Sequence, residues 1–273
     1  MANCITCGRQ LAPSPFGARS EVCPACRASA IDARPGNDPG PAVASRTPRK
    51  RPPVTTVLIG INVAVYAAMA LSGVSPVEPS IRDLLKWGAD AGPLTLQNGE
   101  LWRVLTSNYV HGGIIHIALN MWCLWSLGSL AEQIFDRWTY FLTYTACGVA
   151  GSIVSLWLHP KNVSVGASGA IFGLAGALIA ALYLGRLPIH PAALRGTLKS
   201  LLSFAAYNLF FGAVVPFIDN SAHIGGFVAG LAIGAALAGH LMSPPPVRKG
   251  WRLAVFSATG VVLALALSYL KRG

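Results

Sequence analysis

A chain of 273 residues that is 53% hydrophobic and only 11% charged departs from soluble domains, which average about 25% charged residues. That balance excludes an ordinary soluble globule and indicates a membrane protein. The formal net charge of +11 invites a nucleic-acid partner, but the basic residues follow the pattern of membrane topology, and no nucleic acid is expected.

Residues 1–30 form a small cysteine module. Cys4-x2-Cys7 and Cys23-x2-Cys26 are separated by fifteen residues, the spacing of four thiolates around one tetrahedral zinc. Gly8 permits the turn after the first knuckle. Two disulfides are the competing reading, disfavoured on the reducing cytoplasmic side assigned below. Four cysteines leave no open coordination position, so the zinc would be structural. The module has no obvious basic-aromatic face, although a tethered nucleic-acid binder stays open as an alternative for these residues alone. Residues 31–53, rich in proline, glycine and charge, read as a flexible linker.

Residues 54–273 read as an all-α polytopic membrane domain. Uncharged apolar runs of about 18 residues or more predict seven spans, at 54–74, 114–134, 138–158, 167–184, 201–218, 222–242 and 253–270. The first run is too long for the apolar core of a cleavable signal peptide and reads as a signal anchor. The loop at 75–113 is long enough to be functional or partly structured. Neither a solenoid repeat nor paired interrupted spans are visible.

With the N-terminus inside, eleven basic residues flank the spans on the inner side: Arg46, Arg49, Lys50 and Arg51, and those at the returning junctions from Arg137 to Arg252. Six fall outside, three of them in the long loop. This asymmetry supports a cytoplasmic N-terminus and, with no visible targeting segment, a bacterial plasma membrane.

Polar groups inside spans are costly and are functional candidates by default. His116 and Asn120, four apart on one face of the second span, share a layer with Ser168 at the start of the fourth and His223 at the start of the sixth. At about 1.5 Å per residue, all four lie about 21–28 Å above the inner ends of their spans. Gly169 and Gly173 on span four, and Gly226, Gly230 and Gly234 on span six, are small-xxx-small faces that let backbones approach. Close packing would bring Ser168 to His223, an arrangement in which imidazole takes the proton of an attacking hydroxyl. The N–H groups at the start of span four would face a developing oxyanion, with His116 and Asn120 as further donors. Taken singly, Ser168 is more often a packing residue, His223 a satisfied polar group or proton relay, and His116 with Asn120 interhelical glue. Asp219 could orient His223 but reads as a loop residue. Cys123 and Cys147 read as small buried residues.

Trp102-Arg103 in the long loop, "HIALN" in span two, "GASG" opening span four and "AHIGG" in span six together resemble the rhomboid family of intramembrane serine proteases, over roughly residues 54–242. The resemblance implies a six-helix core, here with a seventh C-terminal helix, and a Ser168–His223 dyad needing neither cofactor nor obligatory acid. It implies an oxyanion site made of the Ser168 N–H with His116 and Asn120. Gly166 would shape the loop before Ser168, Phe172 would pack its ring on His223, Trp102 and Arg103 would structure the long loop, and His111 would lie near the cavity. Substrates would be single-span membrane proteins in the lipid bilayer, reaching the site sideways past span five. Residues 159–167 would form a protein-covered loop descending to Ser168, since irregular backbone at membrane depth must be buried or line a wet cavity. The rivals are a catalytically silent relative that binds membrane clients, and a transporter using the polar layer as a relay. Mid-span carboxylates that a relay would use are lacking, Glu132 lying near the inner end of span two.

Overall fold

The computed structural model describes residues 4, 6–8, 10, 26, 53–215 and 218–272. The chain divides into two compact units, Met1–Lys50 and Arg51–Gly273. The linker read over residues 31–53 lies outside the described residues except for Pro53, which opens the first helix.

Among the described residues, nine α-helices run through the second unit: α1 (Pro53–Leu71), α2 (Ile81–Lys86), α3 (Arg103–Thr106), α4 (Ile114–Ile134), α5 (Arg137–Leu158), α6 (Ser168–Leu184), α7 (Pro191–Val214), α8 (Asn220–Ala238) and α9 (Pro245–Arg272). Six are long and apolar enough to cross a bilayer, and α6 is a shorter apolar helix of 17 residues. At about 1.5 Å per residue α6 rises about 26 Å, less than the hydrocarbon thickness of about 30 Å.

Sequence sets the ends of these helices. The Asp136 carboxylate accepts the N–H groups of Trp138 and Thr139 at the start of α5, and Asp219 accepts the Ala222 N–H at the start of α8; such caps contribute about 1 kcal/mol each. Helix α7 opens with Pro191 behind His190, ten residues before the expected start of span five, because an apolar-run criterion stops at Lys199 while the helix continues through it. It ends at Val214, where Val215 is extended (φ −93°, ψ 119°), as befits a residue preceding proline. Helix α9 likewise begins eight residues ahead of its apolar run.

The core is built on α6, of whose 17 residues 13 are buried. A methyl group at Gly226, Gly230 or Gly234 of α8 would collide with the backbone carbonyl of Gly169, Gly173 or Ala177 of α6 respectively. The offset in residue number is the same at all three contacts, so the two helices run parallel in backbone-to-backbone contact. On the far side, Cys147 of α5 fills the space above Gly173. Helix α1 is fastened to α4 by Glu132, whose Oε1 accepts Thr55 N–H at 2.7 Å and Thr55 Oγ1–H at 3.0 Å. This carboxylate satisfies one of the donors that a helix start leaves open. The periphery is looser: α7 buries only Leu201 and Ala205, and α9 buries none of its residues.

The long loop is structured, as expected. It holds α2, a π-helical turn at Pro93–Gln97, α3 and a 3-10 turn at Ser107–Tyr109. Arg103 organises it: the buried guanidinium donates to Leu85 O at 2.7 Å and Ala89 O at 2.8 Å and pairs with Glu100 at 2.6 Å. The exposed Trp102 ring lies 4.5 Å from the same guanidinium.

Candidate active site

Ser168 is the first residue of α6, half-buried, behind a segment whose Ser164, Gly166 and Ala167 are all buried. Three attachments hold that segment. Asp90 and Ser164 exchange two backbone hydrogen bonds (3.0 and 2.9 Å), and Gly166 N–H donates to Ser107 O at 2.9 Å. Ala167 N–H donates to His111 Nε2 at 3.5 Å. Of the loop expected to be covered over 159–167, residues 163–167 are buried or half-buried and tied to the long loop across from them, whereas residues 159–162 are exposed. Gly166 has φ +111°, a conformation that side chains with a Cβ rarely adopt.

His111 is fully buried. Accepting from Ala167 at Nε2, it carries its proton on Nδ1, which faces Tyr109 O at 3.3 Å. Burial pushes its pKa down to about 3, and His116 beside it acts in the same direction. Their rings meet edge to face at 5.2 Å.

His116 presents the opposite tautomer. Its Nδ1 accepts the Gly112 N–H at 3.2 Å, so the neutral ring is protonated on Nε2. That edge faces Gly166: an added Cβ there would stand 2.7 Å from both His116 Cε1 and Nε2, and 3.7 Å from Asn120 Nδ2. Asn120 Nδ2 also donates to His116 O at 3.0 Å, which leaves its second hydrogen for another acceptor. Two side-chain donors thus converge two residues before Ser168.

His223, in the first turn of α8, is buried, and its Nδ1 has no hydrogen-bond partner among the described residues. Its ring stacks on Phe172 at 4.3 Å with 14° between planes, and Phe172 meets Phe204 of α7 at 5.5 Å. Phe172 stands one turn beyond Ser168, so the stack holds His223 against the first turns of α6. Gly169 lies against Ala222, where an added Cβ would be 3.3 Å from the Ala222 carbonyl. Beside the site, between α4 and α7, lies a cleft of about 440 Å³ lined mainly by apolar groups such as Leu119, Trp122 and Leu201.

The sequence reading named Asp219 as able to orient His223 but took it for a loop residue, and it missed the two serines that Asp219 binds. Asp219 Oδ2 accepts both Ser155 Oγ–H and Ser164 Oγ–H at 2.6 Å. The signal available was an aspartate just ahead of a span, which marks an N-cap. In the other unit, the ligand atoms of Cys4, Cys7 and Cys26 lie within 4.8 Å of one another; Cys23 falls outside the described residues.

A family model described as the Rhomboid domain matches residues 98–240. The chain is 36% identical over 223 residues to "Rhomboid protease GluP" of Bacillus subtilis (strain 168), covering 82% of this chain and 41% of that protein. It is 39% identical over 173 residues to "RHOMBOID-like protein 6, mitochondrial" of Arabidopsis thaliana, covering 63% and 53%. To "Rhomboid-like protease 3" of Toxoplasma gondii it is 31% identical over 163 residues, covering 57% and 59%. The chain spans about half the length of these curated relatives.

Proposed function

The chain belongs to the rhomboid family as an integral multi-pass membrane protein, and from that premise we propose that it is a serine endopeptidase cleaving the transmembrane segments of single-span membrane proteins. Ser168 is the nucleophile and His223 its general base. The observation that carries this reading is the stack of His223 on Phe172, one turn from Ser168, which sets the imidazole against the first turns of the helix that Ser168 opens.

The Ser168 oxygen bonds to the scissile carbonyl carbon as its proton passes to His223. Charge gathers on the carbonyl oxygen, met by the Ser168 N–H at the helix start, the Nε2–H of His116 and the free amide hydrogen of Asn120. As the C–N bond breaks, the leaving amine takes the proton from His223. Water, with His223 again the base, then releases the acyl group. Gly166 and Gly169 keep backbone rather than side chain around the reacting atoms, His111 holds the Ala167 amide, and Arg103 with Trp102 fixes the long loop. The loosely attached α7 is the wall past which a substrate segment enters. The charge asymmetry favours a site in the outer leaflet of a bacterial plasma membrane, with the N-terminus cytoplasmic.

Cys4, Cys7, Cys23 and Cys26 hold one structural zinc in this proposal. Thiolates at about 2.3 Å from a tetrahedral zinc stand about 3.8 Å apart, and the three described sulfurs, within 4.8 Å of one another, need only a small contraction. Catalysis requires no cofactor in this scheme.

The test is cleavage of a single-span reporter substrate by detergent-purified protein, alongside Ser168→Ala and His223→Ala. Both variants are expected to lose cleavage by at least about 10³-fold while retaining the thermal melt. Cleavage surviving in either one removes that residue from the mechanism. Inactivity of the wild type across several substrates would favour a client-binding protein.

A further inference from the structure

The Asp219 carboxylate is shared by three elements. Its Oδ1 caps α8 through the Ala222 N–H at 3.1 Å, and its Oδ2 takes Ser155 Oγ–H from α5 and Ser164 Oγ–H from the loop before α6, each at 2.6 Å. His223 follows Asp219 by one helical turn, and its N–H donates to the Asp219 carbonyl at 3.2 Å. Ser168 follows Ser164 by four residues along a segment that is pinned again at Gly166 and Ala167. Ser164 is also fixed through its backbone, by the two-way bridge to Asp90. A single carboxylate therefore joins the segment carrying Ser168 to the helix carrying His223, above both of them and outside the layer in which they would react.

We propose that Asp219 is a positioning residue: by binding Ser164 and Ser155 while capping α8, it sets the separation of Ser168 from His223. This rests on the proposed dyad. It assigns Asp219 no proton transfer, because Oδ1 and Oδ2 are taken up by the helix cap and the two serine hydroxyls. Reacting groups displaced by about 1 Å lose up to about 10²-fold in rate, so loosening the clamp acts on the chemical step while leaving substrate docking intact.

The experiment compares wild type, Asp219→Ala, Asp219→Asn, Ser164→Ala and the double variant Asp219→Ala/Ser164→Ala. It measures kcat and KM, the rate at which a fluorophosphonate labels Ser168, and hydrogen–deuterium exchange over residues 159–168 and 220–224. Ser164→Ala keeps the α8 cap and should lower kcat and labelling by about tenfold, with Asp219→Ala lower by up to about a hundredfold and KM little changed in both. Asp219→Asn keeps an acceptor for Ala222 and should recover part of the loss. The double variant should be no slower than Asp219→Ala, since both substitutions cut one link. Additive losses, a change confined to KM, or labelling at the wild-type rate in both Asp219→Ala and Ser164→Ala overturns the proposal. If the wild type itself resists labelling while Asp219→Ala loosens both exchange segments together, the dyad fails and the clamp survives as a structural link. Exchange loosened in only one segment overturns the clamp.

Discussion

Asp90 shows how much the site depends on single side chains in a loop. It is buried, with Oδ2 lacking a hydrogen-bond partner among the described residues, while Oδ1 accepts from the Thr95 hydroxyl. Burial raises its pKa from 3.8 to about 6; Asp219 pushes the same way, and Thr95, Arg103 and the Ala91 N–H oppose both. A carboxyl whose folded-state pKa is raised stabilises the fold most when protonated. The folded chain binds the extra proton between about pH 4 and pH 6, so stability is lost as pH rises through that window. Holding Asp90 ionised in the fold therefore costs on the order of 3 kcal/mol, a tenfold change in proton affinity being worth about 1.4 kcal/mol. Asp90→Asn should melt above wild type at pH 7.5, with the gap closing as pH falls toward 4. A gap that stays constant across that range would show that ionisation of Asp90 is not its source. Such residues are hard to find in the sequence, since an aspartate in a long loop gives no sign of whether it is solvated or buried. Ser168, His223, His116 and Asn120 are visible because polar groups are conspicuous in apolar runs.

At the scale of elements, the helix contacts are legible where they depend on residue size and obscure where they depend on charge. The glycines at four-residue spacing announce the α6–α8 face, and that face is where the closest backbone contacts occur. The start of α7 is hidden because Arg195 and Lys199 end an apolar run without ending a helix. Helix α3 in the long loop is invisible because it is anchored through Arg103 to the carbonyls of Leu85 and Ala89, a tertiary cause with no local pattern. Two glycine substitutions separate contact from propensity. Gly230→Ala drives a methyl group into the Gly173 carbonyl and should cost about 1–3 kcal/mol as α6 and α8 are forced apart. Gly260→Ala on α9 meets no atom within 4 Å and should be neutral or stabilising by up to about 1 kcal/mol, through helix propensity alone. Thermal melts in one detergent decide the point; equal shifts in the two variants would deny the α6–α8 contact its special role.

At the scale of the whole molecule, the chain divides into two compact units. The membrane unit has a core centred on α6, whose Leu174 and Leu178 are fully buried together with Tyr140 and Tyr144 of α5. A unit of about fifty residues is near the size at which a metal or disulfides are usually needed, and its four cysteines supply the material for either. The two possibilities differ in countable ways. Zinc ligation predicts one zinc per chain by elemental analysis, lost in Cys7→Ser and Cys26→Ser and kept in Cys123→Ser and Cys147→Ser. After chelation and denaturation without reductant, all six cysteines would then react as thiols. Two disulfides predict no zinc and only Cys123 and Cys147 reactive under the same treatment. Because structural zinc contributes folding free energy to the residues that bind it, chelation should unfold residues 1–50 while the melt of the membrane unit stays where it was. A fall in that second melt would mean that the two units share stability, and reporter cleavage by the chelated protein would then show whether the metal reaches the chemistry through it.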